Sequence, residues 1–283
     1  MRSSSNDAGR RPAQKLGLFR LRIYQTLLVL AILGFWYAAT SPTLLPPIYF
    51  DDPNKAAFFF GEPLKVAQRV WQWFVSGEIY RHLWVTLVET LLAFLIGTLS
   101  GVAIGIWLAL APSASAILDP YIKAANAMPR VILAPIFFVW FGLGIASKVA
   151  LGVTLVFFIV FFNVYQGVRE VSPVVLANAR MLGASQRQLL RYVYLPSAMS
   201  WVFASLHNSV GLAFVGAVVG EYLGSSEGVG YLIQQAEGVF DINTVVAGIV
   251  VLTAFALALD WLVSFGERRL MVWQPRSGET ERI

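Results

Sequence analysis

Hydrophobic residues are concentrated in six blocks along the chain, separated by polar, basic or proline-containing segments. The blocks cover residues 23–40, 85–108, 121–143, 149–165, 199–219 and 245–265. Most of them are close to the roughly 20 residues that an α-helix needs to cross a bilayer. The pattern therefore predicts an all-α membrane protein with six transmembrane helices.

Two of these blocks have features that a plain transmembrane helix does not have. The first follows a basic head, which is also the general form of a secretory signal. An uncleaved span is preferred, because five more blocks follow it. The third block carries Lys123 and Arg130 in its first turns and is interrupted by Pro129 and Pro135.

The basic residues predict the orientation. Most of the 21 Lys and Arg residues fall on one side of the membrane, and such an excess favours the cytoplasmic side. We therefore expect a multi-pass protein of the cytoplasmic membrane with both termini cytoplasmic. The expected organisation is a cytoplasmic segment at 1–22, a first transmembrane helix at 23–40, an external loop at 41–82, a membrane core of five helices at 83–266 with an inner loop at 170–196, and a cytoplasmic tail at 267–283.

The external loop contains an apolar stripe at helical spacing, made of Leu64, Ala67, Val70, Trp71 and Phe74. This spacing predicts a short amphipathic helix. The helix either lies at the outer membrane interface or packs on the bundle, and the sequence does not separate the two.

Composition agrees with a membrane location, since 57% of residues are hydrophobic and 13% are charged. A net charge of +5 does not indicate nucleic-acid binding, because the basic residues are scattered between apolar blocks. The chain has no cysteine. Its two histidines, His82 and His207, have no second ligand at helical spacing, so no metal site is predicted.

The inner loop at 170–196, which we call the elbow, is predicted to contain two short helices. Ser172 before Pro173 is a helix start, and Gly183 is a left-handed helix end. Ser185 then caps a second helix, which we expect Pro196 to stop. A partner that grips this segment would move the fourth and fifth spans together.

The elbow also resembles a known motif, the EAA loop of ABC importer permeases. The residues that carry the resemblance, at the spacings of that motif, are Ala177-Asn178-Ala179, Gly183, Val193 and Leu195-Pro196. The segments 128–144, 221–224 and 228–233 are similar to the nitrate, sulfonate and taurine branch of the family. The resemblance covers about residues 63–273, and it implies a type I ABC importer permease fold with a cytoplasmic coupling helix.

In that family the coupling helix sits in a cleft of the ATP-binding subunit. The acidic residue and first alanine of the motif are Ala177 and Asn178 here, so docking would depend on Gly183, on shape and on arginines. The residues that the resemblance assigns to docking are Ala177, Asn178, Ala179, Arg180, Leu182, Gly183, Ala184, Ser185, Arg187, Leu195 and Pro196.

The resemblance also implies the partners. The chain has no phosphate loop of the form G-x-x-x-x-G-K-[ST], so it is expected to be non-catalytic, to bind no cofactor and to need a separate ATPase. Two ATP-binding subunits that carry ATP and Mg²⁺, a second permease copy forming a homodimer, and an external substrate-binding protein are the expected partners.

Polar residues within the apolar blocks are candidates for a translocation pathway. His207 and Asn208 come first, although hydrogen bonding between helices explains them equally well. Pro135 forms part of a gate or only a kink. Glu221, like Glu89 and Asp260, is more readily explained by reaching an interface than by a proton relay.

Two other classes of function compete with the importer permease. A secondary transporter driven by an ion gradient is disfavoured by few intramembrane carboxylates, no repeat symmetry and only six spans. A membrane enzyme is disfavoured because no nucleophile and base can be placed together. The expected substrate is small, polar and anionic, such as nitrate, a sulfonate or taurine.

Overall fold

The computed structural model describes residues 18–41 and 54–270, and every regular element in these ranges is helical. The helices are α1 Leu18–Thr40, α2 Lys55–Phe60, α3 Pro63–Ser76, α4 Glu78–Leu110, α5 Pro112–Ala127, α6 Ala134–Phe141, α7 Ile145–Arg169, α8 Pro173–Met181, α9 Gln186–Leu189, α10 Leu195–Leu223, α11 Val229–Gly238 and α12 Ile242–Leu270. A 3₁₀ turn at Arg130–Leu133 precedes α6, and a π turn at Leu190–Tyr194 joins α9 to α10.

Four helices in the described part, α1, α4, α7 and α12, are long and apolar enough to cross a membrane. Two bent pairs bring the number of spans to six if each pair counts as one. One pair is α5 with the segment Arg130–Phe141, which bends by 88°, and the other is Gln186–Phe203 with Ser205–Leu223, which bends by 52°. The chain is thus an all-α membrane protein with up to six spans.

The third predicted span, at 121–143, is interrupted as expected at Pro129, but its start and the effect of Pro135 differ from the prediction. The helical segment begins earlier, at Pro112, and breaks at Met128 and Pro129, both of which are extended. The residue before a proline is pushed towards extended backbone, which accounts for the break at Met128. Pro135 does not break α6, because it lies in the first turn, where its missing N–H is not needed.

The described residues up to Lys65 belong to one of two units in the structure. Within this unit the Trp36 indole N–H donates to the carbonyl oxygen of Phe60 at 3.2 Å, and this bond joins α1 to α2. The side chains of α1 are otherwise exposed along most of its length. A helix that is apolar all round and exposed is suited to a lipid or protein environment rather than to water.

The second unit, residues 66–270 in the described part, is centred on α4, α7 and α10. Gly97, Gly101 and Gly105 of α4 lie directly against α7, where an added Cβ would come within 3.0 Å of Val156, Phe157 or Val164. Glycines at this spacing let two backbones approach closely, which is how membrane helices gain packing contacts. The backbones of α4 and α7 are therefore closely packed in the core of the bundle.

The predicted amphipathic helix is present as α3, but its buried face differs from the predicted stripe. Val66 and Trp73 are buried, whereas Leu64, Trp71 and Phe74 are exposed. The exposed stripe suits a membrane interface, where aromatic side chains are favoured.

The prediction that Pro196 stops the second elbow helix is wrong. The helical backbone runs from Gln186 through Pro196 and continues as α10. Just before the proline the Leu195 N–H bonds to the Leu190 carbonyl oxygen, five residues back. This wider turn makes room for the proline ring and its missing N–H, so the helix continues through Pro196 instead of ending there.

Candidate functional site: the elbow and a buried polar junction

The first elbow helix, α8, ends in a Schellman motif. Gly183 has φ +80°, its N–H bonds to Arg180 O at 2.9 Å, and the Ala184 N–H bonds to Ala179 O at 3.0 Å. These two bonds satisfy carbonyl groups that the helix end would leave free. The predicted left-handed end at Gly183 is confirmed. At the other end Ser172 makes no side-chain cap, and only its carbonyl accepts a bond, from the Leu176 N–H at 3.2 Å.

The second elbow helix, α9, begins in a capping box, as its sequence predicts. The Ser185 hydroxyl accepts from the Gln188 N–H at 3.3 Å, and the Gln188 side chain accepts from the Ser185 N–H at 2.7 Å. Each residue thus satisfies a free N–H group at the helix start. The angle between α8 and α9 is therefore set by local hydrogen bonds.

The elbow presents apolar side chains that no other described part of the chain covers. Leu182 is 88% exposed and Met181 is 79% exposed, at the tip between the two helices. Ala177, Asn178, Arg180 and Arg187 are exposed on the same segment. Leu195 and Pro196 are not at this tip, because they lie beyond the π turn at the start of α10.

The two spans attached to the elbow are joined next to it. The Ser197 hydroxyl of α10 donates to Gly167 O of α7 at 2.9 Å, and the ring of Trp201 lies against Gly167. A displacement of the elbow would therefore act on α7 and α10 together.

At the opposite end of the bundle, four polar side chains form a buried group that we call the polar junction: Thr86 and Glu89 of α4, Lys148 of α7 and Glu221 of α10. Glu221 is 1% exposed and accepts from the Thr86 hydroxyl at 2.6 Å. The Glu89 side chain hydrogen-bonds to that of Glu221, while Glu89 Oε2 has no partner among the described residues. Both carboxyl groups act electrostatically on Lys148.

The start of α11 is bonded to this junction. The Gly230 N–H bonds to Glu221 Oε2 at 2.8 Å, and the Val229 N–H to the Thr86 hydroxyl at 3.2 Å. The Gly228 N–H bonds to His82 Nδ1 at 3.1 Å. Side chains from α4 and α10 therefore supply the bonds that the first N–H groups of a helix lack, and a carboxylate at that end is electrostatically favourable.

Several sequence expectations for charged residues are corrected here. The burial of Lys148 was not predicted: this side chain is fully buried, and its ammonium group donates to the carbonyl oxygens of Leu143 and Gly144. Glu89 and Glu221, expected to reach an interface, are buried at the polar junction. Asp260 instead lies with its Oδ1 2.8 Å from His207 Nε2, in a crevice between α10 and α12.

The four predicted pathway residues are not brought together. His207 and Asn208 are exposed on α10, and Pro135 is exposed on α6. Glu221 lies about 20 Å further along α10 and is covered by the polar junction. Thr86, Gly228 and Gly230 were assigned no role from the sequence. The Gly-x-Gly segment that begins seven residues after Glu221 was a visible signal for a close contact there.

Comparisons with known proteins agree with this fold. Residues 101–272 match the family described as the binding-protein-dependent transport system inner membrane component. The chain is 34% identical to the aliphatic sulfonates transport permease protein SsuC of Bacillus subtilis (strain 168) over 200 residues, covering 71% of this chain and 72% of that protein. It is 30% identical to the taurine transport system permease protein TauC of Escherichia coli (strain K12) over 242 residues, 86% of each chain.

A solved structure shows the same fold. A chain of the MetNI methionine ABC transporter, in an inward facing conformation, superposes with a TM-score of 0.58 at 18% identity, covering 68% of this chain and 94% of that one. The helical bundle, the elbow and these matches define the membrane subunit of an ATP-driven importer. The chain belongs to the family of binding-protein-dependent transport system inner membrane components.

Proposed function

We propose that this permease moves a small polar anion of the sulfonate, taurine or nitrate type across the cytoplasmic membrane. Support comes from the two relatives above, whose names specify aliphatic sulfonates and taurine. An external substrate-binding protein would select the solute and deliver it. A secondary transporter acting without an ATPase is not favoured, because the family and the fold are those of ABC importers.

The energy would come from two separate ATP-binding subunits that carry ATP and Mg²⁺. The exposed elbow is the single observation that carries this proposal. Its tip, Met181 and Leu182, is apolar and uncovered, and two capped helices hold it in place. An apolar tip of this kind fits a cleft on a partner, and Arg180 and Arg187 beside it fit acidic groups at the rim of that cleft.

Two copies of the chain would form the pore as a homodimer, because one copy supplies one elbow and a pair of ATPases needs two. The pathway would run along the exposed stripe of α10 that carries His207, Asn208, Gly211 and Val215, and it would include Pro135, which is exposed on α6. Glu221 is left out of this pathway because it is covered. A single permease in a purified ATPase complex would contradict the dimer.

Orientation can be tested on the native chain background, because the sequence has no cysteine. Leu182→Cys and Val239→Cys place thiols at exposed positions on the elbow and at the end of α11. With cytoplasmic termini, an impermeant thiol reagent should label Val239→Cys in intact cells and should reach Leu182→Cys only after the cells are opened. Labelling of Leu182→Cys in intact cells would reverse the proposed topology.

The docking proposal is tested with Leu182→Glu, which places a charge in an apolar contact. We expect this variant to insert normally but to co-purify with much less ATPase. Val239→Glu is the matched control, since Val239 is similarly exposed but lies at the other end of the bundle. Equal ATPase recovery with the wild type and with Leu182→Glu would remove the elbow as the docking site.

A further inference from the structure

The two spans that leave the elbow meet again at their far ends. At the elbow the Ser197–Gly167 bond joins α10 to α7. At the other end Lys148 lies in the first turn of α7, and Glu221 lies in the last turn of α10. The Cγ of Lys148 comes so close to Gly220 that a Cβ there would lie 2.8 Å away. The two helices are therefore connected at both ends.

Steric contacts leave little freedom where α11 meets this far end. A Cβ on Gly228 would overlap the Glu221 carboxyl group, and one on Gly230 would lie 2.9 Å from the Glu221 Cβ. Beside them the exposed side chains of Arg81 and Glu227 form an ion pair between α4 and the segment before α11. Glu221 thus fills the space between α10 and the start of α11.

The charges within the polar junction make it costly to open. Two buried carboxyl groups, Glu89 and Glu221, lie near a single buried ammonium group, Lys148. Taking one partner out of such a buried group leaves an uncompensated charge, which destabilises a protein far more than loss of a surface ion pair. Separation of α4, α7 and α10 here would have the same effect.

We propose that Thr86, Glu89, Lys148 and Glu221 are positioning residues that make α4, α7, α10 and the start of α11 one rigid unit. This rests on the proposed function, in which ATPases move the elbow. Through this unit, movement of the elbow displaces α11 at the far end of the bundle. The groove that α11 borders, lined by Arg69, Trp73, Gln234, Gln235 and Asp241, moves with it.

The first test fixes the contact between α4 and α11. Arg81→Cys and Glu227→Cys are combined in one chain and treated with a short bifunctional maleimide whose spacer contains a reducible disulfide. A rigid unit predicts that cross-linked protein retains the uptake rate of untreated protein. Loss of uptake that reduction restores would show that the contact opens during transport, and it would overturn the proposal. Each single variant, treated alike, is the control for modification itself.

Efficient cross-linking is itself part of the result. Arg81 and Glu227 are in direct contact and accessible, so failure of the reagent to join them would contradict the arrangement on which the polar junction depends. The experiment does not use the elbow, and its outcome is therefore separate from whether an ATPase binds there.

The second test uses charge balance. Because Glu89 and Glu221 are hydrogen-bonded to each other, they share one proton and together carry one negative charge. Lys148→Met leaves that charge without its cation, and we expect uptake to fall about tenfold or more. Adding Glu221→Gln removes the negative charge and keeps a similar shape, so we expect the double variant Lys148→Met/Glu221→Gln to recover much of the lost uptake. A merely space-filling role for Lys148 predicts no recovery, and that outcome would overturn the charge-balanced junction.

ATPase recovery separates this proposal from the proposed function. Lys148→Met should co-purify with as much ATPase as the wild type, because its elbow is unchanged. Absence of any ATPase from the wild-type preparation would contradict the proposed function. If ATPase is lost from Lys148→Met but not from the wild type, the variant disturbs the whole fold and not only the coupling of movement. That result would contradict the proposal that Lys148 is a positioning residue.

Discussion

The elbow and the polar junction differ in where their hydrogen-bond partners come from. In the elbow, Gly183 and Ser185 bond to groups within five residues along the chain. At the polar junction, Thr86 and Glu221 are 135 residues apart, and Val229 bonds to Thr86 across 143 residues. A segment built from local bonds keeps its shape while its surface stays free for a partner, whereas the junction depends on the assembled bundle.

This difference predicts that single substitutions cost more at the polar junction than in the elbow. Buried polar groups that lose a partner are penalised by desolvation, while exposed caps exchange their bonds for bonds to water. The four predictions below run from the largest expected effect to the smallest.

Gly228→Ala should give the largest loss of stability. Gly228 has φ +101°, and the new methyl group would overlap the Glu221 carboxyl group. Backbone strain and overpacking together should cost about 3 kcal/mol in the free energy of unfolding, measured as a lower melting temperature in detergent. Gly77→Ala is the matched control, because Gly77 has φ +81° with open space around it. Equal losses in the two variants would show that the overlap with Glu221 is absent.

Thr86→Val should come next. The substitution keeps the shape but leaves Glu221 Oε1 and the Val229 N–H each without the Thr86 hydroxyl, at a cost of about 2 kcal/mol. Thr90→Val serves for comparison, since Thr90 is equally buried but its hydroxyl bonds only to Thr86 O of its own helix, at 2.7 Å. Melting temperatures of the two variants measured side by side should differ. A Thr90→Val protein as unstable as Thr86→Val would contradict the special position of Thr86.

Gly183→Val should leave the protein folded and inserted but reduce its association with the ATPase. A side chain in the left-handed conformation costs about 1 kcal/mol or more, yet a Cβ added at Gly183 would have no atom of the described residues within 4 Å apart from its chain neighbours. The strain is therefore confined to the elbow. Asparagine tolerates this conformation, so Gly183→Asn should retain more ATPase than Gly183→Val at matched membrane abundance. The reverse order would contradict a backbone origin of the effect.

Ser185→Ala should have the smallest effect, about 1 kcal/mol, and it should be local. Only the capping box at α9 is lost, and no buried group loses a partner. Amide hydrogen exchange should become faster at residues 186–189 while the melting temperature stays near that of the wild type. A melting temperature lowered as far as in Thr86→Val would place the elbow in the same cooperative unit as the bundle.

What the sequence predicted correctly follows the same division. Gly183 and Ser185 act through neighbours a few residues away, so their roles in the helix ends are visible in a short stretch of sequence. The burial of Lys148 was not predicted, because a charged residue at the start of a span is typical of a loop. Its burial depends on two carbonyl groups and two carboxyl groups that only the folded bundle brings near. Composition and periodicity do not encode such distant partners.

Proline was a more instructive error. Pro196 was expected to end a helix because its ring clashes with the preceding turn. The chain relieves that clash with one wider turn at Leu190–Tyr194. No single residue in the sequence predicts such a turn. Pro129, by contrast, does interrupt its helix, since the chain there turns by 88°.

The π turn also fixes the rotational phase of everything that follows it. Such a turn contains one residue more than an α turn, so side chains after it are rotated by about 100° relative to an uninterrupted helix. Asn208 and Gly211 point out of the bundle only in this phase. If the turn closed to a regular helix with no residue removed, Val210, now buried, would turn towards that same side, whereas deletion of one residue within 190–194 would restore a regular helix and keep Asn208 and Gly211 where they are. The face that α10 offers to a solute is thus chosen about four turns earlier, at the elbow.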